Sequence, residues 1–166
     1  YSLFGGVTYM YDEFAYECEC YIAEKLVLLD KVCPAVSTAD ANVLIEREEH
    51  KNGFSYAIMQ KKAIIDALEN GIMLLTGGPG TGKTTIVKAL LDIFRNMDMQ
   101  VALAAPTGRA AKRLSEATAY EAKTIHRLLE YGGDEDTFAR SEEYPLEADC
   151  IIVDEMSMVD VRLMRS

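Results

Sequence analysis

The chain has 166 residues, of which 49% are hydrophobic and 27% charged, and its net charge is −10. This length suits one domain, or one domain with part of another, and supplies enough apolar side chains for a core. No apolar run is long enough to cross a bilayer, none resembles a signal peptide, and the four cysteines form no CxxC pair, which argues against a zinc site. We therefore expect a cytoplasmic protein with reduced thiols.

The first 55 residues predict helices and carry no catalytic signature. Apolar residues recur at three- and four-residue steps over residues 9–32, and the Cys33-Pro34 pair ends that helix. A shorter helix is predicted at 39–50, a turn at 51–53 and a third helix at 56–69. We expect residues 1–55 to form a helical N-terminal accessory region.

Residues 77–84 read GGPGTGKT and match the phosphate-binding pattern G-x-x-x-x-G-K-[ST]. An apolar strand is predicted just before them, at 72–76. A helix that begins near Lys83 follows, with one apolar side formed by Ile86, Val87, Leu90, Leu91 and Phe94. In such a loop Lys83 reaches the β- and γ-phosphates and the Thr84 hydroxyl binds Mg²⁺. The sequence therefore predicts a nucleoside triphosphate site.

A second motif, IIVDE at residues 151–155, places two adjacent carboxylates at the end of an apolar strand predicted at 150–153. Asp154 is the expected magnesium ligand, directly or through water, and Glu155 the base for an attacking water. The alternative is an acidic first turn of the next helix, where carboxylates are favoured in any case. Two carboxylates favour hydrolysis over phosphotransfer.

Strands predicted at 72–76, 101–105 and 150–153 alternate with helices, which is typical of an α/β fold of the P-loop NTPase type, a parallel sheet with helices on both faces. Residues 130–149 interrupt this alternation with a glycine-containing acidic stretch. We expect an exposed loop there, with a short hairpin at its tip.

Residues 101–129 form the clearly positive segment of this acidic chain, with five basic and two acidic side chains. Arg109, Lys112 and Arg113 share one face of a predicted helix, and Thr124 is the expected N-cap of a short helix that carries His126. Such a face suits contacts with a nucleic-acid phosphate backbone, and it equally suits an ordinary solvated helix.

Four segments in order resemble motifs I, Ia, Ib and II of the RecD-like branch of superfamily 1 DNA helicases: TGGPGTGKTT, APTGRAAKRLSE, KTIHRLLE and VDEMSMVD. That branch contains the exodeoxyribonuclease V alpha subunit and its stand-alone relatives. The resemblance covers residues 56–166 and implies an incomplete first RecA-like ATPase domain there. It implies a motor that uses ATP and Mg²⁺ to move 5′ to 3′ along single-stranded DNA and to unwind duplex in DNA repair and recombination. Other subunits of a nuclease–helicase complex would be further partners.

The resemblance also implies roles for individual residues. Gln60 would contact the adenine, so the nucleotide-binding set becomes Gln60, Gly77, Gly78, Pro79, Gly80, Thr81, Gly82, Lys83, Thr84 and Thr85. Motif Ia would place DNA contacts at Pro106, Thr107, Gly108, Arg109 and Arg113, and motif Ib would add Thr124 and His126. Instead of contacting DNA, the His126 side chain could pack against a helix or cap it.

The chain does not begin with Met and ends inside an apparent helix, so we expect a piece of a longer protein. Motifs III to VI, the second motor domain and one strand of the family's sheet are not among its residues. We expect these 166 residues alone to bind nucleotide weakly and hydrolyse little. Three alternatives remain: a P-loop ATPase or phosphotransferase that ignores DNA, a non-catalytic ATP-binding module, and the helicase part of a conjugative relaxase.

Overall fold

The computed structural model describes residues 2–133 and 137–166, with the side chains of residues 2–4 outside that description. Its first part is a small hairpin followed by three helices. In chain order these are β1 (Ser2–Phe4), β2 (Val7–Tyr9), α1 (Glu13–Val32), α2 (Thr38–Asn52) and α3 (Ile58–Glu69). The hairpin was not predicted, and it moves the start of the first helix from residue 9 to Glu13, where the Asp12 side chain accepts a hydrogen bond from the Ala15 N–H at 3.0 Å.

The second part alternates helices and strands. Its elements are α4 (Lys83–Asn96), β3 (Val101–Ala105), α5 (Gly108–Thr118), β4 (Ala122–Thr124), α6 (Ile125–Leu128), β5 (Tyr131–Gly132), β6 (Thr137–Phe138), β7 (Cys150–Val153), a 3-10 helix (Met156–Met158) and α7 (Val161–Arg165). The strands β4, β3 and β7 form a parallel sheet in that order. The predicted α/β class is confirmed. The acidic stretch contains the antiparallel hairpin β5–β6 near its start.

The predicted strand at residues 72–76 is wrong. A strand needs a hydrogen-bonded neighbour. Within residues 2–133 and 137–166, the parallel sheet consists of β4, β3 and β7, and residues 72–76 pair with none of them. Leu75 still packs against the core, whereas Leu74 is 83% exposed. The segment therefore runs into the phosphate loop as an irregular connection.

The main core lies where α2 and α3 pack against α4. The predicted apolar side of α4 is confirmed, with Ile86, Leu90, Leu91 and Phe94 buried and Val87 partly buried. Burying a side chain such as Leu91 stabilises the fold by about 1.5–3 kcal/mol. A second cluster joins Leu91 of α4 to Leu103 of β3 and Leu114 of α5. The helix after the phosphate loop is thus fixed between the N-terminal helices and the sheet.

A buried carboxylate also joins α2 to α4. Glu48 is 2% exposed, and one of its carboxylate oxygens accepts a hydrogen bond from Asn96 Nδ2 at 2.9 Å. The other oxygen accepts from Asn52 Nδ2 at 3.3 Å, and Lys51 lies 3.5 Å away. These donors compensate for the loss of hydration, which an isolated buried charge could not tolerate.

No helix in the described ranges has the length and apolar character needed to span a membrane.

Candidate nucleotide and DNA sites

The phosphate loop combines left-handed glycines with a helix N-terminus. Gly80 and Gly82 have φ of 73° and 84°, in the region that favours glycine. Gly82 is the N-cap of α4, whose first turn offers unpaired N–H groups and the positive end of the helix dipole. This arrangement is suited to binding a phosphate group. Pro79 and Thr84 are exposed, and Thr85 is half-buried in the first turn of α4.

Side chains of the loop contact its own carbonyl groups. Lys83 Nζ donates hydrogen bonds to the carbonyl oxygens of Gly77 and Gly78 at 2.6 and 2.8 Å. The Thr81 hydroxyl donates to the Gly78 carbonyl at 2.9 Å. A Cβ at Gly77 would lie 2.8 Å from Thr81 Oγ1, so that turn is tight. To reach a phosphate, the Lys83 ammonium must exchange these carbonyl partners for phosphate oxygens.

Gln60 lies against the phosphate loop. Its Oε1 accepts a hydrogen bond from the Ala57 N–H at 2.9 Å, which fixes the side chain at the start of α3. A Cβ at Gly82 would collide with Gln60 Nε2. The structure therefore brings the predicted adenine-contacting glutamine to the loop that is predicted to bind phosphate.

Asp154 and Glu155 follow β7 on a sharp turn. The Asp154 N–H donates to the Ala104 carbonyl of β3 at 2.9 Å, and the Asp154 carboxylate accepts from the Glu155 N–H at 2.9 Å. Glu155 has φ of 53°, a left-handed conformation that costs a non-glycine residue about 1–2 kcal/mol. Both carboxylates are exposed. Strain of this kind is concentrated at functional sites, which is consistent with a catalytic turn.

Strand register brings three of the four motifs to one edge of the sheet. Ala105 of β3 lies opposite Thr124 of β4, and Ala104 lies opposite Val153 of β7. Because the strands are parallel, the residues that follow them emerge at the same edge. Motif Ia, motif Ib and the Asp154 turn are therefore neighbours at the carboxyl edge, where open α/β sheets bind ligands.

The predicted DNA-binding residues of motif Ia lie at the start of α5. Pro106 is half-buried, and Gly108 is exposed at the first position of the helix. The Thr107 hydroxyl oxygen caps the helix by accepting from the Ala110 N–H at 3.2 Å. Arg109 and Arg113 are exposed, as is Lys112, while the opposite side of α5 is buried through Ala110, Ala111 and Leu114. The predicted cationic face is thus present and open to solvent.

Motif Ib shows the same use of a threonine. The Thr124 oxygen accepts from the Arg127 N–H at 3.2 Å, which confirms its predicted N-cap role on α6. A hydroxyl that accepts a backbone hydrogen bond still has its own proton to donate. Thr107 and Thr124 can therefore cap their helices and donate to a phosphate oxygen at the same time.

His126 packs against two aromatic rings of the β5–β6 hairpin. Its ring centroid lies 5.3 Å from that of Tyr131, nearly perpendicular, and 5.8 Å from that of Phe138. Tyr131 and Phe138 are 5.1 Å apart, so the three rings form one cluster. His126 remains exposed, so it both packs and stays accessible.

Sequence reasoning missed four candidate residues in this area. Tyr131 and Phe138 lie in the stretch where a short hairpin was expected, but no role was predicted for them. They are paired across β5 and β6, which places both rings on one face. Lys123 of β4 and Arg127 of α6 are exposed cations beside the predicted set. The sequence feature that points to Lys123 and Arg127 is the net positive charge of the whole segment 101–129, and not their spacing on a helix face.

The residues at the proposed nucleotide site supply the type of donor atom that binds Mg²⁺ together with ATP. Thr84 offers a hydroxyl and Asp154 a carboxylate, the hard oxygen ligands that Mg²⁺ prefers, and both are exposed. No group of three His, Cys, Asp or Glu side chains within the described ranges converges as a metal site. A magnesium ion here would therefore depend on few protein ligands together with phosphate oxygens, as is usual for nucleotide-bound Mg²⁺.

Cys150 opens the strand that leads to Asp154. It packs against the main core, and burial raises the pKa of its thiol to about 11. The thiol is therefore protonated at neutral pH and takes no part in the chemistry expected at the end of the strand.

Known proteins resemble this chain in sequence. Residues 60–166 match the family model described as an AAA domain. The ATP-dependent RecD2 DNA helicase of Deinococcus radiodurans is 44% identical over 64% of this chain and 15% of its own length. The RecBCD enzyme subunit RecD of Mycolicibacterium smegmatis is 35% identical over 98% of this chain and 32% of its own length. That of Haemophilus influenzae is 34% identical over 63% and 20%.

The chain therefore spans about a third or less of the length of these curated relatives. The match to the family model includes Gln60, the phosphate loop, both candidate DNA-binding motifs and the Asp154 turn. The chain belongs to the AAA-domain family, and within it to the RecD-like proteins.

Proposed function

We propose that this chain is part of an ATP-driven DNA helicase that moves on single-stranded DNA. The observation that carries the proposal is the strand register, which puts motif Ia, motif Ib and the Asp154 turn at one edge of the sheet. The relatives named as DNA helicase or RecD subunits support the same reading. Movement 5′ to 3′ and a role in repair and recombination rest on the family resemblance.

In the proposed domain division, residues 1–55 are an accessory region and 56–166 the first motor domain. Ala41 and Ile45 of α2 share a buried cluster with α3 and α4, so the accessory region is packed against the motor. We expect a cytoplasmic protein whose partners are single-stranded DNA and, in a complex, other nuclease–helicase subunits. The 166 residues alone should hydrolyse little ATP.

The proposed chemistry assigns one role to each group. The left-handed loop and the first turn of α4 bind the phosphates, Lys83 stabilises the charge on the terminal phosphoryl group, and Gln60 contacts the adenine. Thr84 and Asp154 would hold Mg²⁺, which neutralises phosphate charge when bound. Glu155 orients the attacking water and accepts its proton.

DNA would bind across the carboxyl edge of the sheet through its phosphates. Arg109 and Arg113 supply positive charge on α5, and the capping hydroxyls of Thr107 and Thr124 each have a proton to donate. These contacts recognise the backbone and not the sequence of bases. His126 and the Tyr131 ring that packs on it are exposed and add a surface on which an unpaired base can stack.

The experiment that tests the proposal is ATP hydrolysis by the full-length protein with and without single-stranded DNA. We expect strong stimulation by DNA, abolished in Lys83→Ala. Glu155→Gln should retain ATP binding and lose turnover, because the amide cannot accept the proton. Turnover that is indifferent to DNA would instead favour an ATPase with a small substrate, and retained turnover in Glu155→Gln would mean that another group is the base.

A further inference from the structure

Helix α1 lies outside the core that α2, α3 and α4 share. Among its residues only Cys18 is buried, and no α1 side chain belongs to the buried clusters identified in the described part of the chain. Its remaining apolar residues include Val27 and Val32, which are 56% and 62% exposed. The helix therefore lies outside the buried apolar clusters, and its contacts with other segments can be tested separately.

The first contact joins α1 to α7, the helix that follows the Asp154–Glu155 turn. The Arg162 guanidinium lies 4.6 Å from the ring centroid of Phe14, and Arg165 lies 5.8 Å from the same ring. Arg165 also lies 5.4 Å from the Tyr21 ring and donates to Cys18 Sγ at 3.5 Å. Two arginines that follow the catalytic turn are thus stacked on the rings of α1.

The second contact joins α1 to the acidic stretch before β7. The Tyr21 hydroxyl donates to Glu142 Oε1 at 2.5 Å, and Lys25 forms an ion pair with the same carboxylate. Hydrogen bonds from Lys25 and Tyr21 hold the pKa of Glu142 below its ordinary value, which keeps the carboxylate ionised at neutral pH. The stretches before and after β7 are therefore both attached to α1.

The third contact joins the end of α1 to the segment that leads into the phosphate loop. A Cβ at Gly71 would lie 2.5 Å from the Leu29 carbonyl oxygen and 2.8 Å from Asp30 Cα, so only glycine allows this approach. The Ile72 N–H donates to the Asp30 carboxylate at 3.3 Å. The irregular segment 72–76 has no sheet neighbour to fix it in the described structure, which leaves α1 as a principal support.

We infer that α1 is a brace that sets the position of the phosphate loop relative to the Asp154–Glu155 turn. From Phe14 to Asp30 the helix spans about 24 Å, so one rigid rod contacts the segments on both sides of the proposed catalytic site. Phe14 and Gly71 are positioning residues in this arrangement. The consequence for catalysis rests on the proposed ATPase function, but the brace itself does not.

The first test compares Phe14→Leu with Tyr16→Leu in the full-length protein. Both side chains are on α1 and similarly exposed, at 42% and 46%, but the Tyr16 ring packs on Tyr11 and not on α7. Loss of the ring–arginine contacts should accelerate hydrogen exchange of residues 156–166 by about three- to tenfold. Phe14→Tyr keeps the ring and should exchange like the wild type. Equal exchange in Phe14→Leu and Tyr16→Leu would overturn the brace.

The second test compares Gly71→Ala with Leu74→Ala. The alanine at 71 would push the lead-in segment off α1, whereas Leu74 is 83% exposed and serves as the matched control in the same segment. We expect faster exchange of residues 72–84 in Gly71→Ala and about tenfold weaker binding of a fluorescent ATP analogue, because a small displacement of a binding group is costly. Unchanged exchange at 72–84 would overturn the brace.

Turnover separates a positioning role from a general loss of stability. Phe14→Leu should lower kcat for ATP with little change in KM, because it loosens the side that carries Glu155. Gly71→Ala should mainly raise KM, because it displaces the phosphate loop. Equal changes of kcat and KM in both variants would overturn the separate roles. A wild-type protein without ATP turnover would refute the proposed function, while the exchange measurements would still decide whether α1 is a brace.

Discussion

Substitution of single glycines in the phosphate loop separates backbone strain from steric conflict. Gly78 has an ordinary φ and open space around its Cβ position, Gly80 has open space but φ of 73°, and Gly82 combines φ of 84° with a collision against Gln60. The first and second are variable positions of the motif. Alanine therefore introduces no strain and no clash at position 78, backbone strain alone at 80, and strain together with a steric clash at 82.

The backbone angle and the space at each glycine set the expected loss of nucleotide affinity. Gly78→Ala should leave nucleotide affinity within about twofold of wild type, since it adds neither strain nor contact. Left-handed backbone costs alanine about 1–2 kcal/mol, so Gly80→Ala should bind about five- to thirtyfold more weakly. Gly82→Ala also displaces Gln60 from its hydrogen bond with Ala57, adding about 1 kcal/mol, for a total loss of about thirty- to 150-fold.

The assay is titration of the full-length protein with a fluorescent ATP analogue, with circular dichroism to check that each variant is folded. Gln60→Ala should weaken binding less in the Gly82→Ala background than in the wild type, because the alanine at 82 has already displaced the Gln60 side chain. If Gly82→Ala binds as tightly as Gly78→Ala, the loop does not bind nucleotide in this conformation. If Gln60→Ala weakens binding equally in both backgrounds, displacement of Gln60 is not the source of the additional loss.

Two further predictions concern buried groups outside the loop. Glu48→Ala leaves the Asn96 amide without its buried acceptor. It should lower the free energy of opening of α2, measured by hydrogen exchange, by about 3 kcal/mol. The exposed Glu46→Ala should change this free energy by less than about 0.5 kcal/mol, and similar effects of the two substitutions would refute the network. Because burial raises the pKa of Cys150 to about 11, iodoacetamide at pH 8 should modify it on the order of 100-fold more slowly than the exposed Cys20, with a rate that rises about tenfold per pH unit. Comparable modification of both thiols at pH 8 would contradict the burial.

Local patterns predicted the elements whose stability depends on their own residues. The apolar side of α4 was read from its spacing, and Thr124 was identified as an N-cap because capping is decided within four residues. The chain over residues 72–76 reads as a strand by its side chains, yet the structure leaves it unpaired. In contrast, the short segment AKT became β4 because β3 offers it a parallel neighbour. A strand forms only when a second segment pairs with it, so the composition of one segment does not decide whether residues 72–76 or the AKT segment become strands.

The sequence by itself determined which chemistry is available. The spacing of the glycines, Lys83 and Thr84, together with the pair Asp154–Glu155, predicts a nucleotide site, because these proposed roles depend on residue type within short segments. Only the tertiary structure decided which groups meet. It placed Gln60 against Gly82, brought both candidate DNA motifs to the edge that carries Asp154, and laid α1 across the segments on both sides of the site. These are contacts between residues distant in sequence, and packing and strand register fix them rather than local preference.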